Sequence, residues 1–432
     1  MENESWATQF RYDIAIVPRT SHLSQTLDTK FQPLAAPPSS DRWHAVVAGY
    51  LGWTMDALDF FIVVFMVDIL AQQFQVSKAA IVWTITATLA MRPVGALLFG
   101  ILADRFGRRR MLIANVLFFS TVELLCGFAT SYQMFLALRI LFGIGMGGEW
   151  GVGASLALES TPTRYRGILS GLLQSGYSMG YLLAALLSRV VLPHLGWRAM
   201  FWVGGAPALL ALYIRTRVKE SAVWEQHGRH DFGTIIRRSL ASWKSLIYLA
   251  VLMTLMHALS HGTQDLYPDF LKSVHGLKPA TVSYLAILYN IGAIVGGILF
   301  GHYSERFGRR RTMLAALGLS LMLIPFWAFA NSVLLLAAAA TFMQVGVQGA
   351  WGIIPAHLNE LAPEEARGVV PGFAYQLGIL LAAPTNTIEY ALRDRFGYSW
   401  AISGFEIVTI LLLATVIALG TERKGREFGR AG

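Results

Sequence analysis

Long apolar runs alternate with short polar segments along almost the whole chain. A helix that crosses a membrane needs about 20 mostly apolar residues, and twelve runs have about this length. They lie at 45–69, 80–103, 111–130, 134–158, 168–191, 199–215, 245–270, 281–303, 312–330, 332–358, 369–391 and 400–420. Because these runs are continuous, unlike the short alternating strands of a membrane barrel, they predict twelve membrane-spanning helices and an all-α fold.

Composition and the placement of charge agree with this prediction. Charged residues make up 14% of the 432 positions, against roughly 25% in soluble proteins, and the mean hydropathy is +0.50. Of the 35 Lys and Arg residues, 26 lie on the side that both termini share, 7 lie on the opposite side and 2 lie within spans. The positive-inside rule therefore predicts a multi-pass protein of the cell membrane with both termini in the cytoplasm. The net charge of +9 then results from the basic residues on the cytoplasmic side, and no nucleic-acid partner is expected.

The first half of the chain returns in the second half at an offset of 201 residues. The segment 100–110, a glycine, an acidic residue, Arg-Phe-Gly and three arginines, recurs at 301–311. The same offset aligns Trp150 with Trp351. The repeat predicts two six-helix bundles joined by a basic linker. The predicted divisions are a cytoplasmic segment 1–44, bundles 45–215 and 244–420, a cytoplasmic linker 216–243 and a cytoplasmic tail 421–432.

This repeated motif resembles the signature of the major facilitator superfamily. The resemblance implies a transporter in which two halves rock about a substrate site at their interface. It also implies that the motif holds the cytoplasmic side closed. The residues that carry it are Gly100, Asp104, Arg105, Gly107, Arg108, Glu305, Arg306, Gly308 and Arg309. From the residues themselves, Gly107 and Gly308 permit a tight turn, and Asp104 suits the N-terminus of a neighbouring helix.

Ionisable side chains inside the predicted spans are further candidates, because each costs roughly 2.5–3.5 kcal/mol on insertion scales. They are Asp56, Asp59, Arg92, Glu123, Arg139, Glu149, His257, His261 and Asp265. Asp56 and Asp59 share a helix face, and two close carboxylates in a low dielectric favour binding of a proton. Structural pairing with Arg92 and Arg139 is the alternative, and both interpretations stay open. We predict proton-coupling roles for Asp56, Asp59, Glu149 and Asp265, and a structural ion pair for Arg92.

The seventh span carries the most specific pattern. Its residues 260–265, Ser-His-Gly-Thr-Gln-Asp, resemble a motif of the lactate and pyruvate proton symporters in the sialate:proton symporter group. His257 and Asp269 replace the first and last residues of that motif. Residues 375–378, Tyr-Gln-Leu-Gly, resemble a stretch of the same group in span 11. The resemblance implies substrate-binding roles for Arg139, His261, Gln264, Asp265 and Gln376.

These patterns together predict proton-coupled symport of a small monocarboxylate, similar to lactate or pyruvate, by a monomeric unit in the lipid bilayer without a cofactor. Transport of a sialic acid, an aromatic acid or a dicarboxylate is the nearest alternative, followed by a carboxylate sensor. A zinc site at His257, His261 and Asp265 has suitable spacing but no further convergent ligand, so no metal is expected. No catalytic constellation fits its structural context, and an enzyme is not expected.

Overall fold

The structure is a computed structural model that describes residues 39–227 and 231–428. Most of the predicted cytoplasmic segment 1–44 and the last four residues of the predicted tail lie outside the described residues.

The first half contains eight α-helices. They are α1 Ser39–Phe65, α2 Val67–Phe74, α3 Lys78–Phe106, α4 Arg108–Cys126, α5 Tyr132–Glu159, α6 Arg166–Val190, α7 Leu192–Val203 and α8 Pro207–Arg217. Two further helices occupy the predicted linker, α9 Ala222–His227 and α10 Phe232–Ala241. The second half follows with α11 Trp243–Gln264, α12 Tyr267–Ser273, α13 Pro279–Phe307, α14 Arg309–Phe329, α15 Val333–Trp351, α16 Ile354–Leu361, α17 Val370–Ala382, α18 Thr385–Phe396 and α19 Tyr398–Leu419.

Each predicted span corresponds to one helix or to two consecutive helices, so the molecule has twelve spans in two six-helix bundles. Within the described residues, nine of these spans are long and apolar enough to cross a membrane on that criterion alone. The other three spans do not meet this criterion. The third begins with three arginines, the fifth contains several small polar residues, and the eleventh is broken. The eleventh is divided between α17 and α18 at Pro384, which lacks a backbone N–H for the helical ladder.

The two halves meet through α3 packed on α17 and through α6 packed on α13. Each half has a main hydrophobic core, and Trp53 and Trp150 of the first half belong to the core of the second. Hydrogen bonds also join the halves: Ser155 Oγ donates to the carbonyl of Arg367 at 2.8 Å, and Ser170 Oγ accepts the N–H of Ala356 at 3.0 Å. These contacts lie at the ends of α3 and α13 that carry Asp104 and Glu305. We call this end of the molecule the motif side.

Candidate functional site

The acidic residue of each motif copy binds the start of a helix in the opposite half. Asp104, at the end of α3, accepts the backbone N–H groups of Gly368 and Val369 at 2.8 and 3.1 Å, just before α17. Glu305, at the end of α13, accepts the N–H of Gly167 in the first turn of α6. A carboxylate at a helix N-terminus satisfies unpaired N–H groups and the positive end of the helix dipole. The motif therefore ties the two halves together twice.

A buried network of charges surrounds Asp104. One terminal nitrogen of Arg108 lies 2.9 Å from Asp104 and 3.3 Å from Glu159. Arg367 of the second half reaches the same Glu159 oxygen at 3.4 Å. Burial of the Arg367 guanidinium lowers its pKa below the ordinary value, yet the nearby Glu159 compensates part of that cost. Arg108, Glu159 and Arg367 thus form a charge network that also crosses between the halves.

The second motif copy repeats this arrangement within its own half. Arg309 lies 2.9 Å from Glu305 and 2.8 Å from Glu360. The glycines fit their expected role, because Gly107 and Gly308 have φ angles of 109° and 97°, which residues with a side chain rarely adopt. Gly100 has a different reason: a Cβ there would lie 2.6 Å from the Cα of Val369. Only glycine, whose side chain is a single hydrogen atom, leaves room here for Val369 of the other half.

The linker covers the first motif copy. Glu220 accepts the N–H of Arg109 at 3.0 Å, and Ser221 Oγ donates to Glu159. Burial raises the pKa of Glu220 above its ordinary value, although two backbone N–H groups partly oppose this. The guanidinium of Arg105 lies 5.7 Å from the ring centre of Phe232 in α10. The linker is therefore attached to the motif rather than running free beside it.

The chain after α19 covers the second copy. Lys424 Nζ donates to the carbonyls of Glu305 and Arg306 at 3.0 and 3.3 Å. Phe428 is buried between two guanidinium groups, with Arg166 at 3.5 Å and Arg367 at 3.9 Å from its ring centre. Arg166 belongs to the first half and Arg367 to the second. Phe428 is thus another contact that holds the halves together on the motif side.

An aromatic cluster fills the interface deeper in the molecule. Its members are Trp53, Trp150, Tyr177, Trp351 and Tyr375. Trp150 of the first half stacks on Tyr375 of the second with ring centres 4.1 Å apart. Trp53 stacks on Tyr177 at 5.4 Å. His257 of α11 contacts Tyr375 at 4.9 Å and Trp351 at 4.8 Å, so the cluster joins the halves beside the seventh-span motif.

Arg92 of α3 borders this cluster. It is 1% exposed, and its guanidinium lies 5.8 Å from the ring centre of Trp53. In the described part of the chain, its Nε and one terminal nitrogen have no hydrogen-bond partner. It interacts electrostatically with His257 and His261 of the opposite half. No carboxylate described here lies within ion-pair distance, although Asp56 and Glu149 interact with Arg92 electrostatically, so a structural pairing role for Arg92 stays a prediction.

Arg139 has a partner instead. It lies 2.6 Å from Glu123, with both side chains buried, and its guanidinium also lies 4.1 Å from the ring centre of Phe142. Sequence reasoning gave Glu123 no role, since the pairing runs between α4 and α5 and no spacing within one helix indicates it. A substrate contact for Arg139 stays a prediction.

The three acidic residues predicted for proton coupling in the first half are all fully buried. Asp56 and Asp59 lie on α1 and Glu149 lies on α5. Among the described residues, none of their six carboxylate oxygens has a hydrogen-bond partner. Glu149 interacts electrostatically with Asp56 and Arg92, and Asp59 with Asp56 and Glu123. The structure brings these groups together at the centre of the first half, and their proton-coupling role stays a prediction.

The seventh-span motif forms a polar network in the second half. His261 Nδ1 lies 3.0 Å from Asp265 Oδ2, and Asn386 donates to the same oxygen at 2.9 Å. The side chains of His261 and Asp265 keep 40% and 37% exposure. Gln264 donates to Gln344 of α15 at 2.9 Å. The structure therefore joins His261 to Asp265, and it places Gln264 in a separate hydrogen bond at the same end of α11.

Gln376, the remaining predicted substrate residue, lies at the interface itself. Its side chain is fully buried, and its Nε2 donates to the carbonyl of Gly147 in the opposite half at 3.5 Å. Its Oε1 has no partner among the described residues. The zinc alternative gains no support, since no group of three or more possible metal ligands converges within the described part of the chain.

The family model of the Major Facilitator Superfamily matches residues 49–264 and again 250–431, which covers most of the chain and repeats across its two halves. The chain belongs to the major facilitator superfamily. This major facilitator protein is therefore a membrane transporter and not an enzyme.

Three curated relatives share this membership. A carboxylic acid transporter protein homolog of Saccharomyces cerevisiae is 32% identical over 84% of this chain, and the alignment spans 63% of that longer protein. A probable 4-methylmuconolactone transporter of Cupriavidus pinatubonensis is 30% identical, with 88% of this chain and 90% of that protein covered. The sialic acid transporter NanX of Escherichia coli is 28% identical, with 87% and 92% covered. The resemblance to the sialate:proton symporter group is consistent with this last match.

A solved structure shows the same fold. The proton:xylose symporter XylE, bound to a bromodeoxyglucose, superimposes with a TM-score of 0.71 at 18% identity and covers 90% of this chain and 98% of its own.

The major facilitator fold of this protein also contains polar residues that sequence reasoning did not select. Gln344 and Asn386 bind the seventh-span motif. Glu389 and Glu406 are buried in α18 and α19. The two glutamates lie inside predicted spans, so the criterion applied to the other ionisable residues would have found them. The amides carry no charge, and only the folded structure shows that they reach α11 or its side chains.

Proposed function

We propose that this transporter is a proton-coupled symporter of a small organic anion, with a monocarboxylate similar to lactate or pyruvate as the first candidate. The observation that carries the proposal is Arg92, a buried guanidinium that has no described carboxylate within ion-pair distance and that interacts electrostatically with His257 and His261 across the interface. A guanidinium binds a carboxylate by two parallel hydrogen bonds. A substrate carboxylate there would supply the hydrogen-bonded partner that the nearby Asp56 and Glu149 do not.

The closed motif side defines the direction of access in this proposal. We assign it to the cytoplasm, as the distribution of Lys and Arg predicts. The tied helix ends at Asp104 and Glu305 then close the cytoplasmic path. His261 and Asp265, partly exposed near the other end of α11, are then accessible from the outside. The substrate enters from that side, and rocking of the halves carries it inward.

In this scheme, the buried carboxylates bind the proton that is transported with the substrate. Asp56, Asp59 and Glu149 lie near Arg92 and Arg139 without a direct ion pair. Protonation of one of them while the substrate anion binds Arg92 keeps the net charge of the occluded site low, which reduces the cost of excluding water. Arg139, held by Glu123, serves as a fixed positive charge beside Asp56 and Asp59. Asp265 adds a carboxylate on the substrate path.

An aromatic or unsaturated ring acid is the second candidate substrate. The specific observation is the aromatic cluster, in which Trp53 lies beside Arg92 and contacts Trp150 and Tyr375. Flat π-systems stack on such side chains with favourable geometry. The relative from Cupriavidus, named for transport of a ring lactone, supports this alternative.

The experiment that tests the proposal is uptake of labelled lactate by proteoliposomes with and without an inward proton gradient. We expect gradient-stimulated uptake that a protonophore abolishes and that excess pyruvate competes. Benzoate serves as the ring-acid competitor, and stronger competition by benzoate than by pyruvate selects the second candidate. Asp265→Asn protein that inserts normally should lose the stimulation. A rate of lactate uptake that is the same with and without the proton gradient would contradict proton coupling.

A further inference from the structure

Two glutamates of the second half are buried without a partner. Glu389 of α18 is 1% exposed and Glu406 of α19 is fully buried. Across the described residues, none of their four carboxylate oxygens has a hydrogen-bond partner, and neither residue has an ion pair within 4.0 Å. A buried carboxylate with neither hydrogen bonds nor a cation is strongly disfavoured in its charged form. Neither residue belongs to the motifs discussed above.

The two side chains meet at one point of α11. A Cβ added to Gly262 would lie 2.0 Å from Glu406 Oε1 and 3.1 Å from Glu389 Oε1. Since both distances start at the same point, the two oxygens are no farther apart than the sum of these distances. Gly262 thus provides, by the absence of a side chain, the space in which both carboxyl groups lie. Both buried carboxyl groups are therefore directed toward the same point of α11.

The charged surroundings of the pair are acidic. Asp265 interacts electrostatically with Glu389, and Glu389 with Glu406. Of the helices packed against α18 and α19, α11 contributes His261 and Asp265, which bind each other. Helix α14 carries its charges, Arg309, Arg310 and Arg311, in its first turn on the motif side. On α18 itself, Arg393 lies at the exposed end, beside Asp394.

We propose that Glu389 and Glu406 form a proton-binding pair in the second half, separate from the carboxylates of the first half. Two interacting carboxylates in a low dielectric titrate as a unit and do not both ionise readily. The pair takes a proton from water on one of its oxygens, forming an O–H bond, and returns it to water when the site is hydrated. Because Asp265 interacts with Glu389, binding at the substrate site alters proton affinity at the pair. This last step rests on the proposed symport.

The direct test is infrared difference spectroscopy of the full-length protein in lipid, recorded as pH is varied and without any transport substrate. Protonated carboxyl groups absorb separately from carboxylates and shift in heavy water. We expect such a band at neutral pH. Glu389→Gln and Glu406→Gln should each lose part of it, and the double variant should lose the same part rather than twice as much. Glu225→Gln, which changes an exposed glutamate of the linker, is the matched control and should leave the band unchanged.

A conservative variant separates proton binding from damage to the fold. Glu406→Asp keeps a carboxyl group, so it should retain the band at a shifted position while the protein elutes as the wild type does in size-exclusion chromatography. A band of full intensity in both Gln variants overturns the proposal. Since no substrate is added, this result is independent of whether the protein transports lactate. Loss of lactate transport with the band intact in wild-type protein would instead count against the proposed function alone.

Discussion

At the scale of single residues, two buried arginines of the first half have different surroundings. Arg139 is held by Glu123 at 2.6 Å, so it already has a direct ion-pair partner. Among the described residues, Arg92 has no carboxylate within ion-pair distance, although it interacts electrostatically with Asp56 and Glu149 and with two histidines across the interface. A substrate anion gains more from the arginine that is not already in a direct ion pair. We therefore place the substrate carboxylate at Arg92 and a supporting role at Arg139.

The change Arg92→Ala tests this placement. Hydrogen bonds to a charged group contribute about 1.5–3 kcal/mol, so binding of the anion should weaken roughly 10- to 150-fold. Arg92→Lys should weaken binding less than Arg92→Ala, because lysine keeps the positive charge although it lacks the planar guanidinium group. Quenching of the fluorescence of the nearby tryptophans measures the affinity. The control is Arg110→Ala, which removes an exposed arginine and should leave the affinity unchanged. Equal affinity in all three variants would refute the assignment.

Sequence alone identified most of these residues but not their partners. Helical spacing placed His257, His261 and Asp265 on one face, and the structure does join His261 to Asp265. Pairing between helices, such as Arg139 with Glu123 or Asn386 with Asp265, depends on how the helices pack. A pattern within one helix carries no information about that packing. The electrostatic interactions of Arg92 with Asp56 and Glu149 likewise join different helices.

At the scale of helices, the apolar runs predicted the spans. The exact start of a helix depends instead on the ion pairs of the charged residues at its end. The third run was predicted at 111–130, whereas α4 covers Arg108–Cys126. Its first residue is an arginine that lies buried between Asp104 and Glu159. Hydropathy excludes such a residue from a span, but ion pairs make its burial possible. Likewise, the long eleventh run breaks at Pro384 into α17 and α18.

The cap on α17 gives a prediction at this scale. Asp104→Ala removes the acceptor for the N–H groups of Gly368 and Val369. Loss of an N-terminal cap costs about 0.5–2 kcal/mol, which should open the motif side roughly 2- to 30-fold more often. A cysteine introduced at Ser155, in a Cys126→Ala background, should then react faster with a maleimide. Asp394→Ala, a change at an exposed site of α18, is the control. Unchanged labelling would show that Asp104 does not hold this side closed.

At the scale of the whole molecule, the repeat extends beyond the spans into the segments that follow them. The N–H of Arg109 donates to Glu220 after α8, and the N–H of Arg310 donates to Glu422 after α19. The sequence repeat predicted two equivalent bundles, and this contact shows the same symmetry in the linker and the tail. The symmetry is broken at Phe428, whose contacts with Arg166 and Arg367 reach both halves.

Phe428→Ala should loosen the motif side without disturbing either bundle. Cation–π contacts contribute about 0.5–2 kcal/mol depending on burial, so the segment around Arg367 should exchange its amide hydrogens several-fold faster. Hydrogen–deuterium exchange read by mass spectrometry measures this. Phe307→Ala removes an aromatic ring that contacts only Arg306 of its own half among the cation–π pairs described and should have no such effect. Equal exchange in the two variants would mean that Phe428 does not join the halves.

In the proposed symport, an organic anion and a proton cross the membrane together. The most direct measurement is the external pH of a lightly buffered suspension of proteoliposomes after lactate is added at zero membrane potential. Symport predicts that the medium becomes more alkaline with a time course that matches lactate entry, and that a protonophore abolishes the change. Lactate entry with no change in external pH, or with acidification, would rule out symport.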